Sequence, residues 1–325
     1  MNKNIFSIKR GLFFIFTFIL LSGCSEDDPV QPPQATTGAT VSGYVRSLNS
    51  STAVQNVTVN LRSQADDNLI DSLVTLTNAE GYYQFTDVSA GVKILYFLKG
   101  SFRDTISVTV DANATIIADT SRLEPEKPLA YLPGQYDDIQ TIIRDSLGYN
   151  VQGITVSAIN NNINLNGYSI IFLNCGSEAL SNITNAGANN LKAFMQSGGR
   201  IYASDWAYGT VIKMYPELSG NRNGNAQTVT GNITDQNLQR YMDITNVPIV
   251  YDLASWYAIN PNIDQTVNVP FIKATYTTTA GTVTNNVIAF YRAESFGKLI
   301  YTTFHNEANV TVQTIKILKY FVFEL

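Results

Sequence analysis

The chain is poor in histidine, cysteine and charged side chains. Its 325 residues include one histidine, two cysteines and 14% charged residues, and its net charge is −5. A single histidine excludes zinc sites that are built from several histidines. With so few cysteines, an exported chain of this kind depends on its hydrophobic cores for stability. The negative charge excludes the basic surface that nucleic-acid binding requires. We therefore predict no metal, no cofactor and no nucleic-acid partner.

The first residues have the pattern of an export signal. Three basic residues open the chain: Lys3, Lys9 and Arg10. The apolar run that follows, over residues 11–21, is too short to span a bilayer comfortably. It leads into Leu-Ser-Gly-Cys at residues 21–24, which resembles the lipobox of bacterial lipoproteins. The resemblance implies cleavage before Cys24 and lipidation of its thiol, which would leave Cys175 as the remaining thiol.

The sequence of residues 25–38 indicates the cellular location of the lipidated chain. The sequence Ser-Glu-Asp-Asp at residues 25–28 resembles the acidic tag that sends some lipoproteins to the cell surface. Residues 29–38 are rich in Pro, Gln and Thr, which is typical of a solvated tether. We predict a signal peptide over residues 1–23 and a lipidated tether over residues 24–38. The expected location is the outer membrane, with Cys24 as the membrane contact and the tag indicating the cell surface.

Residues 39–124 predict an antiparallel β-sandwich. Short strands with alternating apolar and polar residues recur about every ten residues, separated by turns. The clearest marker is Asn-Ala-Glu-Gly-Tyr-Tyr-Gln-Phe at residues 78–85, followed by the turn Val-Ser-Ala-Gly at residues 88–91. This order resembles the carboxypeptidase regulatory-like, transthyretin-like domain. The resemblance implies a spacer or binding module without catalysis.

Residues 127–325 change to an alternation of strands and helices, which indicates a parallel sheet covered by helices. A strand at residues 129–132 precedes a helix over 139–147, with Asp137 and Asp138 as its cap. Further strands are expected at residues 151–156 and 168–173, the second of them buried on both faces. A helix that ends at Gly198 then leads into another short strand.

A sharp turn follows that strand. Ala-Ser-Asp-Trp-Ala at residues 203–207 has the small-x-nucleophile-x-small pattern of a nucleophile elbow, with Asp205 at its centre. A late strand at residues 297–304 then delivers His305 and Glu307. Residues 310–323 are predicted to form a closing amphipathic helix, although their first residues would also suit a strand.

This organisation resembles the class I glutamine amidotransferase-like fold, including its ThuA-like relatives. The resemblance implies a flavodoxin-like α/β domain over residues 127–325. In that family, a late Phe-His-Pro-Glu segment supplies a histidine base and a glutamate that orients it, and Phe-His-Asn-Glu at residues 304–307 matches it. His305 and Glu307 therefore take the positions of the catalytic pair. The elbow departs from the family, because the cysteine position holds Asp205.

The aspartate at the elbow changes the reaction that is expected of this domain. A carboxylate at the elbow offers no proton to a histidine base, so glutaminase activity is not expected. Asp205 could instead be an ester-forming nucleophile, with His305 activating water, or His305 could be a structural hydrogen-bond anchor. Cys175 is either a substitute nucleophile or a buried structural residue. The candidate catalytic residues are Asp205, His305 and Glu307.

A second set of residues is predicted to contact a ligand near the carboxyl ends of the strands, where parallel sheets bind ligands. The set is Asn174, Cys175, Gly176, Ser177, Trp206, Tyr208, Trp256 and Tyr257. Its aromatic members either line a sugar- or peptide-binding cleft or pack the surrounding loops.

We expect a non-catalytic envelope lipoprotein that binds a carbohydrate, peptide or protein partner through a degenerate amidotransferase-like domain. One alternative is a hydrolase that uses Asp205, His305 and Glu307. The other is a structural envelope protein that has no ligand.

Overall fold

The computed structural model describes residues 38–49, 52–63, 73–306 and 311–325. Cys24, its signal and tether, and Glu307 lie outside these described residues. Within the described part, no helix has the length and hydropathy needed to cross a membrane.

The N-terminal half is a β-sandwich. Its strands are β1 (Ala39–Arg46), β2 (Thr58–Ser63), β3 (Leu73–Leu76), β4 (Tyr82–Val88), β5 (Gly91–Lys99), β6 (Phe102–Val110), β7 (Thr115–Ile117), β8 (Ser121–Arg122) and β9 (Glu124–Pro125). One sheet has the order β4-β1-β7, with β8 also paired to β1, and the other has the order β3-β2-β5-β6-β9. Alternate side chains face inward, as Leu95 and Phe97 of β5 do. The predicted sandwich is confirmed.

The C-terminal half begins with alternating strands and helices. These are β10 (Leu129–Leu132), α1 (Ile139–Leu147), β11 (Val151–Gly153), α2 (Val156–Asn160), β12 (Ile170–Leu173), α3 (Asn185–Gln196), β13 (Arg200–Ser204) and α4 (Tyr208–Met214). The later elements are β14 (Gly220–Arg222), β15 (Gln227–Ile233), α5 (Gln236–Met242), β16 (Asn246–Tyr251), β17 (Tyr257–Ile259), β18 (Asn268–Thr278), β19 (Gly281–Glu294), β20 (Gly297–Thr302) and α6 (Val312–Glu324).

The main sheet has nine strands in the order β11-β10-β12-β13-β20-β19-β18-β15-β16. The first five are parallel, and their order in the sheet is the 2-1-3-4-5 order of flavodoxin-like folds. The predicted α/β fold is therefore confirmed. All four residues of β12 are buried, as expected for a central parallel strand.

An antiparallel extension is inserted between β13 and β20. Strands β15, β16, β18 and β19 continue the main sheet beyond β20, while β14 and β17 form a separate two-stranded sheet. A loop of this insertion and the strand that follows it lie next to the carboxyl ends of the parallel strands, as shown by the contacts of Asp252 with His305 and of the Tyr257 N–H with Asp205. The helix predicted near the C-terminus is α6.

Two local predictions differ from the structure. The strand predicted over residues 151–156 ends at Gly153, because the Thr155 hydroxyl accepts the Ala158 N–H and starts α2 instead. The predicted cap of α1 is confirmed only in position: Asp138 is the N-cap residue, but its side chain makes no cap hydrogen bond. In the described structure, Asp138 is bound by the Gln140 side chain at 2.6 Å, and Asp137 turns toward neighbouring strand ends. The end of α1 is as expected, because Gly148 adopts a left-handed φ of 83°.

The two halves share one hydrophobic core. Phe102 of β6 is fully buried, and its ring lies 5.1 Å from that of Tyr149 and 5.0 Å from that of Phe323 in α6. The Tyr149 hydroxyl donates to the Leu123 carbonyl at 2.8 Å. The described residues belong to one compact unit. The boundaries placed at residues 124 and 127 stay a prediction, and the sandwich pairing continues to Pro125 in β9.

We expect this shared core to couple the stability of both halves. Phe102→Ala removes a buried ring between them and should lower the free energy of unfolding by about 4 kcal/mol. Both tryptophans, Trp206 and Trp256, belong to the C-terminal half. Urea unfolding followed by tryptophan fluorescence should therefore report the effect of this sandwich substitution.

The matched control is Phe296→Ala, because Phe296 is 82% exposed. It should change the free energy of unfolding by less than about 0.5 kcal/mol. An unchanged tryptophan transition in Phe102→Ala would contradict the coupling.

Candidate functional site

Four adjacent parallel strands bring their carboxyl ends together at one edge of the sheet. Their last paired positions are in register from β10 through β12 and β13 to β20. The residues that follow these strands include Asp137, Cys175, Asp205 and His305. Four segments that are far apart in the chain thus contribute to one site, as the sequence predicted for the last three residues.

Asp205 occupies a strained turn between β13 and α4. Its φ is 37°, a left-handed value that is unusual for a residue with a side chain. The neighbouring Ala203 and Ala207 are buried, so larger side chains would not fit there. A strand, a strained residue and a helix in this order form the elbow that the sequence indicated.

His305 lies between two carboxylates. Its Nδ1 is 3.7 Å from Asp205 Oδ2, and its Nε2 is 3.0 Å from Asp252 Oδ1. The sequence predicted Glu307 as the orienting partner, and that residue lies outside the described residues. The carboxylate that the structure shows at the far ring nitrogen is Asp252, in the loop between β16 and β17.

The surrounding charges keep the His305 ring protonated. Burial lowers the pKa of His305, but the hydrogen bond with Asp205 and the carboxylates of Asp137, Asp205 and Asp252 outweigh it and raise the pKa to about 9. Burial raises the pKa of the Asp205 carboxyl, although His305 and the Tyr257 N–H oppose this shift. At neutral pH the ring is therefore a cation held between two acidic groups.

Cys175 is fully buried next to Asp205. Its Sγ lies 3.5 Å from Asp205 Oδ2. Burial and the nearby carboxylates of Asp205 and Asp137 raise the pKa of the thiol above its usual range. A protonated, buried thiol is a poor nucleophile, which favours the structural interpretation of Cys175 over the substitute nucleophile.

Asp137 connects the four strand ends. It follows β10, and its Oδ2 accepts the Cys175 N–H at 2.7 Å. The same carboxylate accepts the Ser204 hydroxyl at the end of β13 and the Asn306 N–H after β20. Burial raises the pKa of Asp137 to about 6, although His305 and these hydrogen bonds oppose the shift. The residue that the sequence assigned as a helix cap is instead the central acceptor of the site.

A cavity of about 340 Å³ opens onto this edge of the sheet. Its lining residues are Tyr136, Asp205, Trp206, Arg222, Leu253, Ala254, Ser255 and His305. The Arg222 guanidinium lies 4.0 Å from the centre of the Trp206 ring, and the Tyr136 ring meets that ring edge-on at 5.0 Å. The cavity therefore offers aromatic, acidic and basic groups to a small molecule.

The predicted ligand-contacting residues divide into two groups. Trp206 lines the cavity, and Tyr257 contributes its backbone N–H to Asp205 at 2.9 Å. Trp256 is only 2% exposed and stacks on Tyr251, and Tyr208 is fully buried against Tyr301. Of the two alternatives that the sequence left open, packing holds for Trp256 and Tyr208, because both rings are buried in the core.

The loop at residues 174–177 packs against the segment that follows β10. The buried Asn174 amide donates to Gln140 at 2.9 Å, and the Ser177 N–H donates to Gln135 at 2.7 Å. Gly176 is buried beside Gln135, where a β-carbon would collide with that side chain. Ligand contact by this loop stays a prediction.

Four residues of the site were not predicted from the sequence: Asp252, Asp137, Arg222 and Tyr136. Asp137 and Tyr136 directly follow a predicted parallel strand, so their position was a usable signal. Asp252 and Arg222 belong to the antiparallel insertion. Their spacing from the elbow carries no periodic pattern, because the fold of the insertion alone brings them to the cavity.

Within the described residues, one group of side chains is close enough to hold a metal ion. It consists of Cys175, Asp205 and His305, whose ligand atoms all lie within 4.8 Å of one another.

Comparisons with known proteins found one family model and several solved structures that are similar to parts of this chain. A family model described as the second β-sandwich domain of BOS complex subunit NOMO1-like proteins matches residues 36–121. This match covers less than half of the chain. Among curated proteins, no sequence matches the chain.

Solved structures resemble the C-terminal part. A ThuA-like protein from Bacteroides uniformis has 15% identity and a TM-score of 0.44, covering 62% of this chain and 93% of its own. A ThuA-like protein from Parabacteroides merdae has 12% identity and a TM-score of 0.42, covering 60% and 88%. A GMP synthase protein from Thermoplasma acidophilum has 10% identity and a TM-score of 0.45, covering 61% and 94%. These TM-scores are too low to support the fold assignment, which rests on the strand order described above.

We expect Asp137 to be a major contributor to stability. Asp137→Ala leaves the Cys175 N–H and the Asn306 N–H without their side-chain acceptor. The Ser204 hydroxyl keeps only its longer contact with the Leu173 carbonyl at 3.4 Å. The substitution should lower the free energy of unfolding by about 3 kcal/mol, measured by urea unfolding.

The neighbouring Asp138 is exposed, so Asp138→Ala is the control and should be close to wild type. Equal effects of the two substitutions would show that the carboxylate does not hold the strand ends together.

Proposed function

We propose that this protein is a cell-envelope lipoprotein whose C-terminal half is a catalytically degenerate, amidotransferase-like binding domain. A small polar ligand, such as a sugar or the end of a peptide, would bind in the cavity at the carboxyl ends of the parallel strands. The N-terminal sandwich would be a carboxypeptidase regulatory-like spacer between the membrane and this domain.

The arrangement around His305 carries the proposal. Glutaminase chemistry in this fold needs a thiolate at the elbow and a histidine that can take its proton. Here the elbow holds Asp205, and both ring nitrogens of His305 face carboxylates. The nearby Cys175 thiol is buried and protonated. These features support binding in place of amide hydrolysis.

The lining of the cavity supports a polar ligand. The Trp206 ring, with Arg222 and Tyr136 around it, provides an aromatic surface for a sugar ring or a side chain. Asp205 and His305 offer charged hydrogen-bonding groups at its base. Small-molecule sites combine apolar walls with a few such polar groups.

A hydrolase is the second candidate, and Asp252 is the observation that favours it. Asp205 at a strained elbow, His305 beside it and Asp252 on the far ring nitrogen have the order of a nucleophile, a base and an orienting acid. Asp205 Oδ2 would attack an alkyl carbon that carries a leaving group such as halide. The bond to the leaving group breaks, the group departs with the electron pair, and an alkyl ester with Asp205 forms. His305, after losing its proton, would activate the water that hydrolyses this ester, and Asp252 would stabilise the imidazolium that results.

Asp205→Asn separates binding from hydrolysis. With EDTA present, neutral disaccharides and short peptides are titrated against the protein and followed by the fluorescence of Trp206. A saturable change is expected in wild type and in Asp205→Asn, because Asn keeps the acceptor for the Tyr257 N–H. Trp206→Phe should remove the signal, since Trp256 is buried.

The same two proteins are assayed with a 1-haloalkane, and halide release is measured. A rate in wild type that falls by orders of magnitude in Asp205→Asn would favour the hydrolase over binding. If none of the sugars or peptides changes the fluorescence, the structural envelope protein is favoured.

Lipidation is tested at Cys24, which lies outside the described residues. In a Gram-negative host fed an alkyne-labelled fatty acid, we expect the wild-type chain to carry the label, because its first residues match a lipoprotein signal. Cys24→Ser should lose the label and leave the membrane fraction. Cys175→Ser is the matched control and should keep both. A label that survives Cys24→Ser would contradict the lipoprotein assignment.

A further inference from the structure

Three potential metal ligands converge below the cavity. Cys175 Sγ lies 3.5 Å from Asp205 Oδ2, and His305 Nδ1 lies 3.7 Å from the same oxygen. A tetrahedral zinc-type ion, with bonds of about 2.0–2.3 Å, holds its ligand atoms about 3.3–3.5 Å apart. These two separations are close to the tetrahedral values, and all three ligand atoms lie within 4.8 Å of one another.

The remaining atoms of these ligands are already bound by protein groups. Asp252 holds His305 Nε2 at 3.0 Å, so Nδ1 is the ring nitrogen directed at Asp205. The Tyr257 N–H holds Asp205 Oδ1 at 2.9 Å, which leaves Oδ2 toward Cys175 and His305. A carboxylate on the far nitrogen of a ligating histidine is the usual second layer of a metal site.

The site also has an open side. Asp205 and His305 line the cavity, whereas the buried Cys175 is among the residues behind it. Three protein ligands next to an accessible space match metal sites that keep one position for water or substrate. Asp137 and Asp252 add negative charge within the same site, which favours a cation.

We propose that Cys175, Asp205 and His305 bind one zinc-class ion, with Asp252 as a positioning residue. A thiolate with an imidazole selects zinc or cobalt over magnesium and calcium, which prefer oxygen ligands. Binding of the ion displaces the thiol proton of Cys175 and a proton from the His305 ring to solvent. The ion would lie at the base of the cavity of the proposed function, but its binding does not depend on the organic ligand.

Cobalt absorption tests the proposal directly. The full chain carries Cys24→Ser, so that Cys175 is its single thiol. After chelator treatment and removal of the chelator, the protein is titrated with Co²⁺. We expect saturation at one equivalent with a thiolate-to-cobalt charge-transfer band, which Zn²⁺ then abolishes. Adding Cys175→Ser should remove this band.

Two further variants separate ligands from neighbours. Asp252→Asn should weaken Co²⁺ affinity by about 10–100-fold and keep the charge-transfer band, because it acts through His305. Asp264→Asn changes an exposed aspartate outside the site and should bind Co²⁺ like the parent chain.

Stability gives a second readout. Zn²⁺ in excess should raise the urea midpoint of the parent chain and of Asp264→Asn, because the ion binds the folded state. Excess Zn²⁺ should leave the urea midpoint of Cys175→Ser unchanged. The urea midpoint of this variant without metal shows whether it folds.

Two results would overturn the proposal. One is a folded parent chain that shows neither a charge-transfer band nor a Zn²⁺-dependent shift of its midpoint. The other is a band that persists in Cys175→Ser, because the ion would then bind elsewhere. The sugar and peptide titrations contain EDTA, so they test ligand binding without a metal ion. The metal proposal can therefore be contradicted while the ligand proposal is supported, and the ligand proposal can be contradicted while the metal proposal is supported.

Discussion

A single buried carboxylate holds the carboxyl ends of four parallel strands together. Asp137 follows β10 and accepts hydrogen bonds from Cys175 after β12, Ser204 at the end of β13 and Asn306 after β20. Without Asp137, the Cys175 and Asn306 N–H groups would lose the carboxylate that satisfies them, which is costly in a protein interior. The Ser204 hydroxyl would keep only a longer contact with the Leu173 carbonyl. The positions of Cys175, Asp205 and His305 all depend on loops that this carboxylate fixes.

The antiparallel insertion covers part of the site at the carboxyl ends of the parallel strands. It supplies Asp252 to the His305 ring, the Tyr257 N–H to Asp205 and Arg222 to the Trp206 ring. A flavodoxin-like sheet by itself would present the elbow and the histidine to open solvent at its switch point. The insertion therefore decides which charges surround the elbow and which small molecules could reach it.

Much of the fold could be predicted because it depends on local patterns. The apolar run before Cys175, the helix that stops at Gly198 and the small residues around Asp205 each reflect a backbone requirement that is visible in the sequence. The sequence could not decide between cleft lining and packing for Trp256 and Tyr208, since an aromatic residue that faces a cavity and one that fills the core have the same local pattern. Asp137 was misassigned because an acid before a helix usually caps it.

The sequence by itself determined the alternation of strands and helices before the elbow, the β-sandwich and the elbow with Asp205 at its centre. It also determined that His305 follows the last strand of the parallel sheet. Only the tertiary structure decided that Asp252 holds the far ring nitrogen, that Asp137 connects the strand ends and that Cys175 lies against Asp205. The physical reason is distance along the chain: these contacts join segments that have no periodic relation to one another, and packing alone brings them within hydrogen-bonding range.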